Sequence, residues 1–149
     1  MDRRTPLGVS FLWGSALNFP WELAQMALYV PKAPTTWADH LFLCLPAALM
    51  DGVGIALIYG AGAVLFRRPD WVCRPEGRGW LLSLGLGLSF AVLTEWLALA
   101  LGWWRYGPQM PVVPGVGVGL SPLLQFLFLP PLTLFVLVGR WLRRRSAAA

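Results

Sequence analysis

The stretch LFLCLPAALMDGVGIALIYGAGAVLF, residues 41–66, decides the class of this protein. It runs unbroken through apolar and small residues except for one charge, Asp51. A helix needs about 20 such residues to cross the hydrocarbon of a bilayer. Three further stretches reach that length: 8–30, 80–101 and 120–142. The whole chain, residues 1–149, therefore reads as a single transmembrane domain, an all-α polytopic bundle of four helices. Its composition agrees. Of 149 residues, 57% are hydrophobic and 13% charged, whereas soluble domains carry about a quarter charged residues.

The net charge of +5 does not argue for nucleic acid, because of where the charges fall. Arg3 and Arg4 precede the first span, Arg67, Arg68, Arg74 and Arg78 follow the second, and Arg140, Arg143, Arg144 and Arg145 close the chain. With four spans all of these lie on one side, and only Lys32 and Arg105 lie on the other. By the positive-inside rule both termini are expected in the cytoplasm, as in a multi-pass protein of a bacterial inner (plasma) membrane. Arg143–Arg145 could also meet lipid headgroups. The first span contains Asn18, Pro20 and Glu22 and has no clear small-residue cleavage site, so it is expected to be retained rather than removed as a signal peptide.

Punctuation supports the same division. Pro31 and Pro34 end the first helix, and Pro69, Pro75, Gly77 and Gly79 mark the second connection. Pro46 and the pair Pro130–Pro131 are expected to kink their helices. Ser83, Gly87 and Ala91, and beside them Gly85 and Ser89, recur every four residues, a spacing that lets helices approach closely in lipid. The apolar Gly/Pro-rich connection 102–119 suits neither a helix nor a solvated loop. Irregular backbone at membrane depth needs cover, so it is expected to fold over the bundle as a lid or re-entrant segment, with a loose outer loop as the alternative.

Three acids lie inside these spans: Glu22, Asp51 and Glu95. An ionisable group at membrane depth is costly unless paired, neutralised or wetted, and is a functional candidate for that reason. At about 1.5 Å per residue, Glu22 sits roughly 12 Å, Asp51 roughly 15 Å and Glu95 roughly 9 Å below the same outer boundary. Gln125 enters the fourth span at a similar depth. Asn18, Glu22, Gln25 and Tyr29 follow one another at helical spacing and form a single polar face. Such a face either lines a pocket or forms a hydrogen-bonded seam between helices. Near the outer boundary Arg105 lies among Trp103, Trp104 and Tyr106. These form an aromatic belt, or Arg105 pairs with Glu95 or grips an anionic substrate group. His40 is either an interfacial residue or a proton relay. Trp21-Glu22-Leu-Ala with Tyr29, and Glu95-Trp96-Leu-Ala with Tyr106, hint at a duplicated hairpin.

No metal or haem spacing is present: there are two cysteines, Cys44 and Cys73, on opposite sides of the expected topology, and one histidine. No cofactor is expected. Nucleophile-elbow, P-loop, dinucleotide and zinc-protease motifs are also missing from the sequence. The chemistry is left to carboxyl groups. Apolar surroundings favour the protonated acid, which can donate to an alkene, epoxide or hydroxyl group. Aromatic faces such as those of Trp21, Trp96, Trp103 and Trp104 can stabilise a cation, and a second acid can take a proton back.

The stretches Asn18–Gln25, Glu95–Tyr106 and Met110–Gln125 resemble a group of small four-span bacterial membrane proteins with no settled activity. Trp21-Glu22 is also similar to the Trp-Glu element of integral-membrane meroterpenoid (terpene) cyclases. Glu95 with Gly102, Tyr106, Pro111 and Pro114 resembles carotenoid-biosynthesis membrane proteins of the hydratase and cyclase type. Both enzyme families are longer, near seven spans. These resemblances imply an isoprenoid or other lipid-like substrate. Glu22 and Glu95 would then donate and accept the proton, and Asp51 would orient or share it. Asn18, Gln25, Tyr29, Arg105, Tyr106, Gln125 and the four tryptophans would bind the substrate. The alternatives are an accessory subunit or assembly factor of a larger membrane complex, or a small proton-coupled carrier, which at this size would need a homo-oligomer.

Overall fold

A computed structural model describes residues 5–30 and 36–148. Arg3, Arg4, Pro31, Lys32 and Pro34 lie outside the described residues. Helix α1 spans Pro6–Gln25 and ends in a single 3-10 turn, Met26–Leu28. Helix α2 spans Trp37–Leu65 and α3 spans Gly77–Ala100. The fourth rod is α4, Leu120–Pro131, continued through a π-helical segment, Leu132–Val138, into α5, Gly139–Ala147.

The helix ends have local causes. Thr5 Oγ1 accepts from Gly8 N at 3.1 Å and Pro6 opens α1, where its missing N–H costs nothing. Thr36 and Asp39 form a reciprocal capping box at the start of α2. Gly102, with φ +65°, ends α3: Trp103 N donates back to Ala98 O at 2.8 Å and Gly102 N to Leu99 O at 3.2 Å.

Among the described residues three helices are long and apolar enough to cross a membrane: Trp37–Leu65, Gly77–Ala100 and Leu120–Ala147. The expected first span, 8–30, is not among them. Its helix stops at Gln25, and Asn18, Glu22 and Gln25 dilute its apolar character. Large side chains such as Phe42, Leu43, Leu57, Val64 and Leu81 are exposed on the outside of the bundle. A water-soluble monomer rarely leaves so much apolar surface uncovered, whereas lipid would cover it.

The helices pack through glycines. An ideal Cβ on Gly14 would stand 3.1 Å from Gly52 Cα, so α1 and α2 touch nearly backbone to backbone. Ser83, Gly87 and Ala91 are buried, and a Cβ on Gly87 would meet Phe126 O at 2.9 Å. Pro130 has no N–H to give the Phe126 carbonyl its helical partner, and that carbonyl faces Gly87. The second small-residue row does not pack: Gly85 and Ser89 are exposed and Gly85 has open space around it. Pro130–Pro131 are followed by the widened π-helical turns rather than by a break.

The two ends of the bundle differ in kind. One holds an apolar core of Val9, Ile55, Ile58, Tyr59, Trp71, Val72, Leu134, Phe135 and Val138. The other holds the acids.

Candidate functional site: a buried carboxyl and amide network

Gln125 organises the site. Its side chain is 2% exposed. Its Nε2 lies 2.7 Å from Asn18 Oδ1, 2.8 Å from Glu22 Oε1 and 2.8 Å from Asp51 Oδ2. One amide nitrogen thus draws together α1, α2 and α4. Gln25 Nε2 donates to Glu22 Oε1 at 2.7 Å and to Gln125 Oε1 at 3.2 Å. Ser121 Oγ donates to Gln25 Oε1 at 2.8 Å. Asn18 Nδ2 turns back to Gly14 O at 2.7 Å.

Helical spacing produces this convergence. Gly14, Asn18 and Gln25 are the buried positions along one face of α1, with Glu22 between them on that face. Asp51 precedes Gly52, the residue at which α2 meets α1. Ser121 and Gln125 are one turn apart on α4. An amide Nε2 carries two protons and here faces three oxygens.

Glu95 forms a second cluster. It continues the buried row Ser83–Gly87–Ala91 by one more turn and is 5% exposed. Tyr29 OH donates to its Oε1 at 3.4 Å, Trp104 Nε1 to its Oε2 at 3.3 Å, and Tyr106 OH also to Oε2. Tyr106 OH in turn accepts from Gly119 N at 2.9 Å. Burial and the Glu95 carboxyl both push the Tyr106 phenol above its usual range, burial being the larger cause. The Tyr29 and Tyr106 rings lie 5.7 Å apart, and their backbones form an isolated antiparallel bridge.

The connection 102–119 is built onto this cluster. Val30 N donates to Arg105 O at 2.9 Å and Gly107 N to Leu28 O at 2.8 Å. Val113 N reaches Val118 O at 2.9 Å, and Leu120 N reaches Pro111 O at 2.7 Å. Gly115 and Gly117 take the positive φ values that this reversal needs. Val118 and Met110 are buried. Trp96 Nε1 clips the segment by donating to Val116 O at 2.8 Å.

The other expected site residues stand apart. Arg105 is exposed and makes no ion pair with Glu95 among the described residues, where the donors are aromatic instead. Trp103 is half exposed and touches the Trp104 ring at 6.5 Å. Trp96 is half exposed and holds the loop. Trp21 is half-buried and makes no hydrogen bond to either cluster. His40 lies at the start of α2 beside the Trp37 ring, at 5.9 Å. Ser121 was not anticipated, although its place one turn before Gln125 was readable.

Two cavities lie elsewhere. One of about 220 Å³ is lined by Val9, Leu12, Trp13 and Ala16, and one of about 200 Å³ lies at the basic end. No cluster of metal-ligating side chains occurs among the described residues. The network can hold and pass protons, and it joins α1, α2 and α4. Comparison with protein-family models, curated proteins and solved structures returns no match.

Proposed function

We propose that this chain is a four-span inner-membrane protein with cytoplasmic termini, and that its Glu22–Asp51–Gln125 network exchanges protons with a lipid-like, isoprenoid-type substrate. The observation that carries this reading is the single Gln125 nitrogen holding both carboxyl groups at 2.8 Å. Glu22 and Asp51 share the proton that is given. Glu95, which receives donors on both oxygens, takes a proton back. Gln25 fixes Glu22 and Asn18 fixes Gln125, and segment 102–119 is the lid that a substrate displaces by breaking the Tyr106–Glu95 and Trp96–Val116 bonds.

The test compares lipid extracts of cells carrying wild-type protein with those carrying Glu22→Gln or Glu95→Gln. Loss of a lipid product, or accumulation of its precursor, is expected in both variants. Unchanged extracts from cells with normal protein levels would count against an enzyme.

A second reading has its own support. The buried polar groups of the network are satisfied within the chain, as in a seam that stabilises a subunit of a larger membrane complex. That reading predicts co-purification with a partner protein and unaltered lipids in the same variants.

A further inference from the structure

We propose that the cavity at the basic end of the bundle, between α2 and α3, binds a phosphate-bearing anion. It measures about 200 Å³ and is lined by Arg68, Arg74 and Arg78, with Glu76, Trp71 and Phe66 completing the wall. The lining thus carries three arginines and one carboxylate. That carboxylate, on Glu76, is 3.9 Å from Arg68 and 77% exposed, the weakest form of ion pair. Arg74 and Arg78 make no hydrogen bond or ion pair among the described residues. Like charges gathered round one cavity repel, and an anion placed between them relieves that repulsion. Guanidinium forks match phosphate oxygens in pairs.

The scaffold is fixed rather than loose. After α2, Arg67 adopts φ +55°, in the left-handed region, and Arg68 N returns to Ala63 O at 3.1 Å. Tyr59 OH donates to Pro69 O at 2.6 Å, and Trp71 Nε1 donates to Tyr59 O at 3.1 Å. Trp71 is 2% exposed and stacks edge-on against Phe135 at 5.8 Å. From the fourth rod Arg143 Nη1 donates to Cys73 O at 2.8 Å. The loop backbone that carries these arginines is thus held in place beside an aromatic wall. Topology alone asks only for positive charge near the interface, and a mobile loop would supply that equally well. The phosphate can come from an anionic phospholipid headgroup or from free phosphate in solution.

The test uses the full chain in neutral detergent. Short-chain phosphatidylglycerol, short-chain phosphatidylcholine and inorganic phosphate are titrated separately, with binding read by native mass spectrometry and thermal shift. Saturable binding of phosphatidylglycerol but not phosphatidylcholine is expected if the source is a headgroup. Saturable binding of inorganic phosphate alone is expected if it is the free ion. In either case Arg74→Gln with Arg78→Gln weakens binding about 25-fold, at about fivefold per arginine. Arg140→Gln with Arg144→Gln removes equal charge outside the cavity and changes binding less than about twofold. Equal losses in the two pairs, an unaffected Arg74/Arg78 pair, or no saturable binding of any probe would overturn the proposal. Thermal melts without ligand show that both pairs are folded.

Discussion

Gln125 of the fourth rod and Asp51 of α2 meet through a 2.8 Å contact between Nε2 and Oδ2. The same nitrogen meets Glu22 and Asn18. In hydrocarbon no solvent can replace a lost partner, so this one amide bears on three helices at once.

Replacing Gln125 with Leu should therefore destabilise the folded bundle by about 1–2 kcal/mol, near the upper end for interhelical hydrogen bonds in membranes. Unfolding of the purified protein by SDS titration in mixed micelles measures this. A Gln125→Leu variant as stable as wild type would mean that the carboxyl groups find other partners without cost.

Tyr106 should control the loop more strongly than Tyr29. Tyr106 OH both donates to Glu95 and accepts from Gly119 N, whereas Tyr29 OH makes one long bond of 3.4 Å to Glu95. Tyr106→Phe removes both of its bonds. At about 1 kcal/mol for each net hydrogen bond, amide exchange across 107–118 should rise about 30-fold. Tyr29→Phe should raise it less than twofold by the same reasoning, given the length of its bond. Equal protection in wild type and Tyr106→Phe would show that Trp96 and the backbone bonds hold the loop unaided.

How far the site was readable follows from which residues the sequence makes conspicuous. A charge in a run such as 41–66 cannot be missed, so Asp51, Glu22 and Glu95 stood out, and the face Asn18–Glu22–Gln25 followed from helical spacing. What spacing cannot supply is the partner on another helix. Tyr29, Trp104 and Tyr106 read as substrate-lining aromatics, and Arg105 as a possible partner for Glu95. The chain reversal after Gly102 gives Glu95 to the aromatic donors instead. The rows Ser83–Gly87–Ala91 and Gly85–Ser89 are alike in sequence. Only the first packs, and within it Gly87 faces the carbonyl freed by Pro130. The polar face of α1 also takes that helix below the apolarity of the other three.

Cys73 offers a pH-dependent readout outside the spans. Burial pushes its thiol above the ordinary value, and the Arg143 guanidinium opposes this in part. The thiolate is the reactive form, so iodoacetamide labelling should rise with pH along a curve displaced to higher pH than that of a free thiol. In Arg143→Gln the opposing charge is gone, and the curve should move further up. The linkage has the same sign. A thiol whose value is raised by folding stabilises the fold while protonated, and that contribution fades as pH climbs past the free-thiol range of about 8.5. Mass spectrometry of the labelled peptide from pH 7 to 10.5 follows the curve. A shift to lower pH in Arg143→Gln would contradict the assigned contact.

The glycine contacts predict a graded series. At Gly52 an added Cβ would stand 2.9 Å from Phe11 O and 3.0 Å from Ser15 N, both backbone atoms of α1. Neither can yield without moving the helix, so Gly52→Ala should cost about 2–3 kcal/mol, the range for overpacking a tight site. The shift should carry the adjoining Asp51 away from Gln125. At Gly14 the nearest atom is Gly52 Cα at 3.1 Å, with Ile55 side-chain atoms at 3.3 Å. Part of that contact can relax through the isoleucine, so Gly14→Ala should cost about 1–2 kcal/mol. Gly85 has nothing within 4 Å, and Gly85→Ala should gain up to about 1 kcal/mol because alanine is the better helix former. SDS unfolding of the three variants should rank them Gly85→Ala above Gly14→Ala above Gly52→Ala. If Gly85→Ala proved as damaging as Gly52→Ala, the row Gly85–Ser89 would have to be an interface with a second protein chain, and α1 and α2 would not be the tightest contact in the molecule.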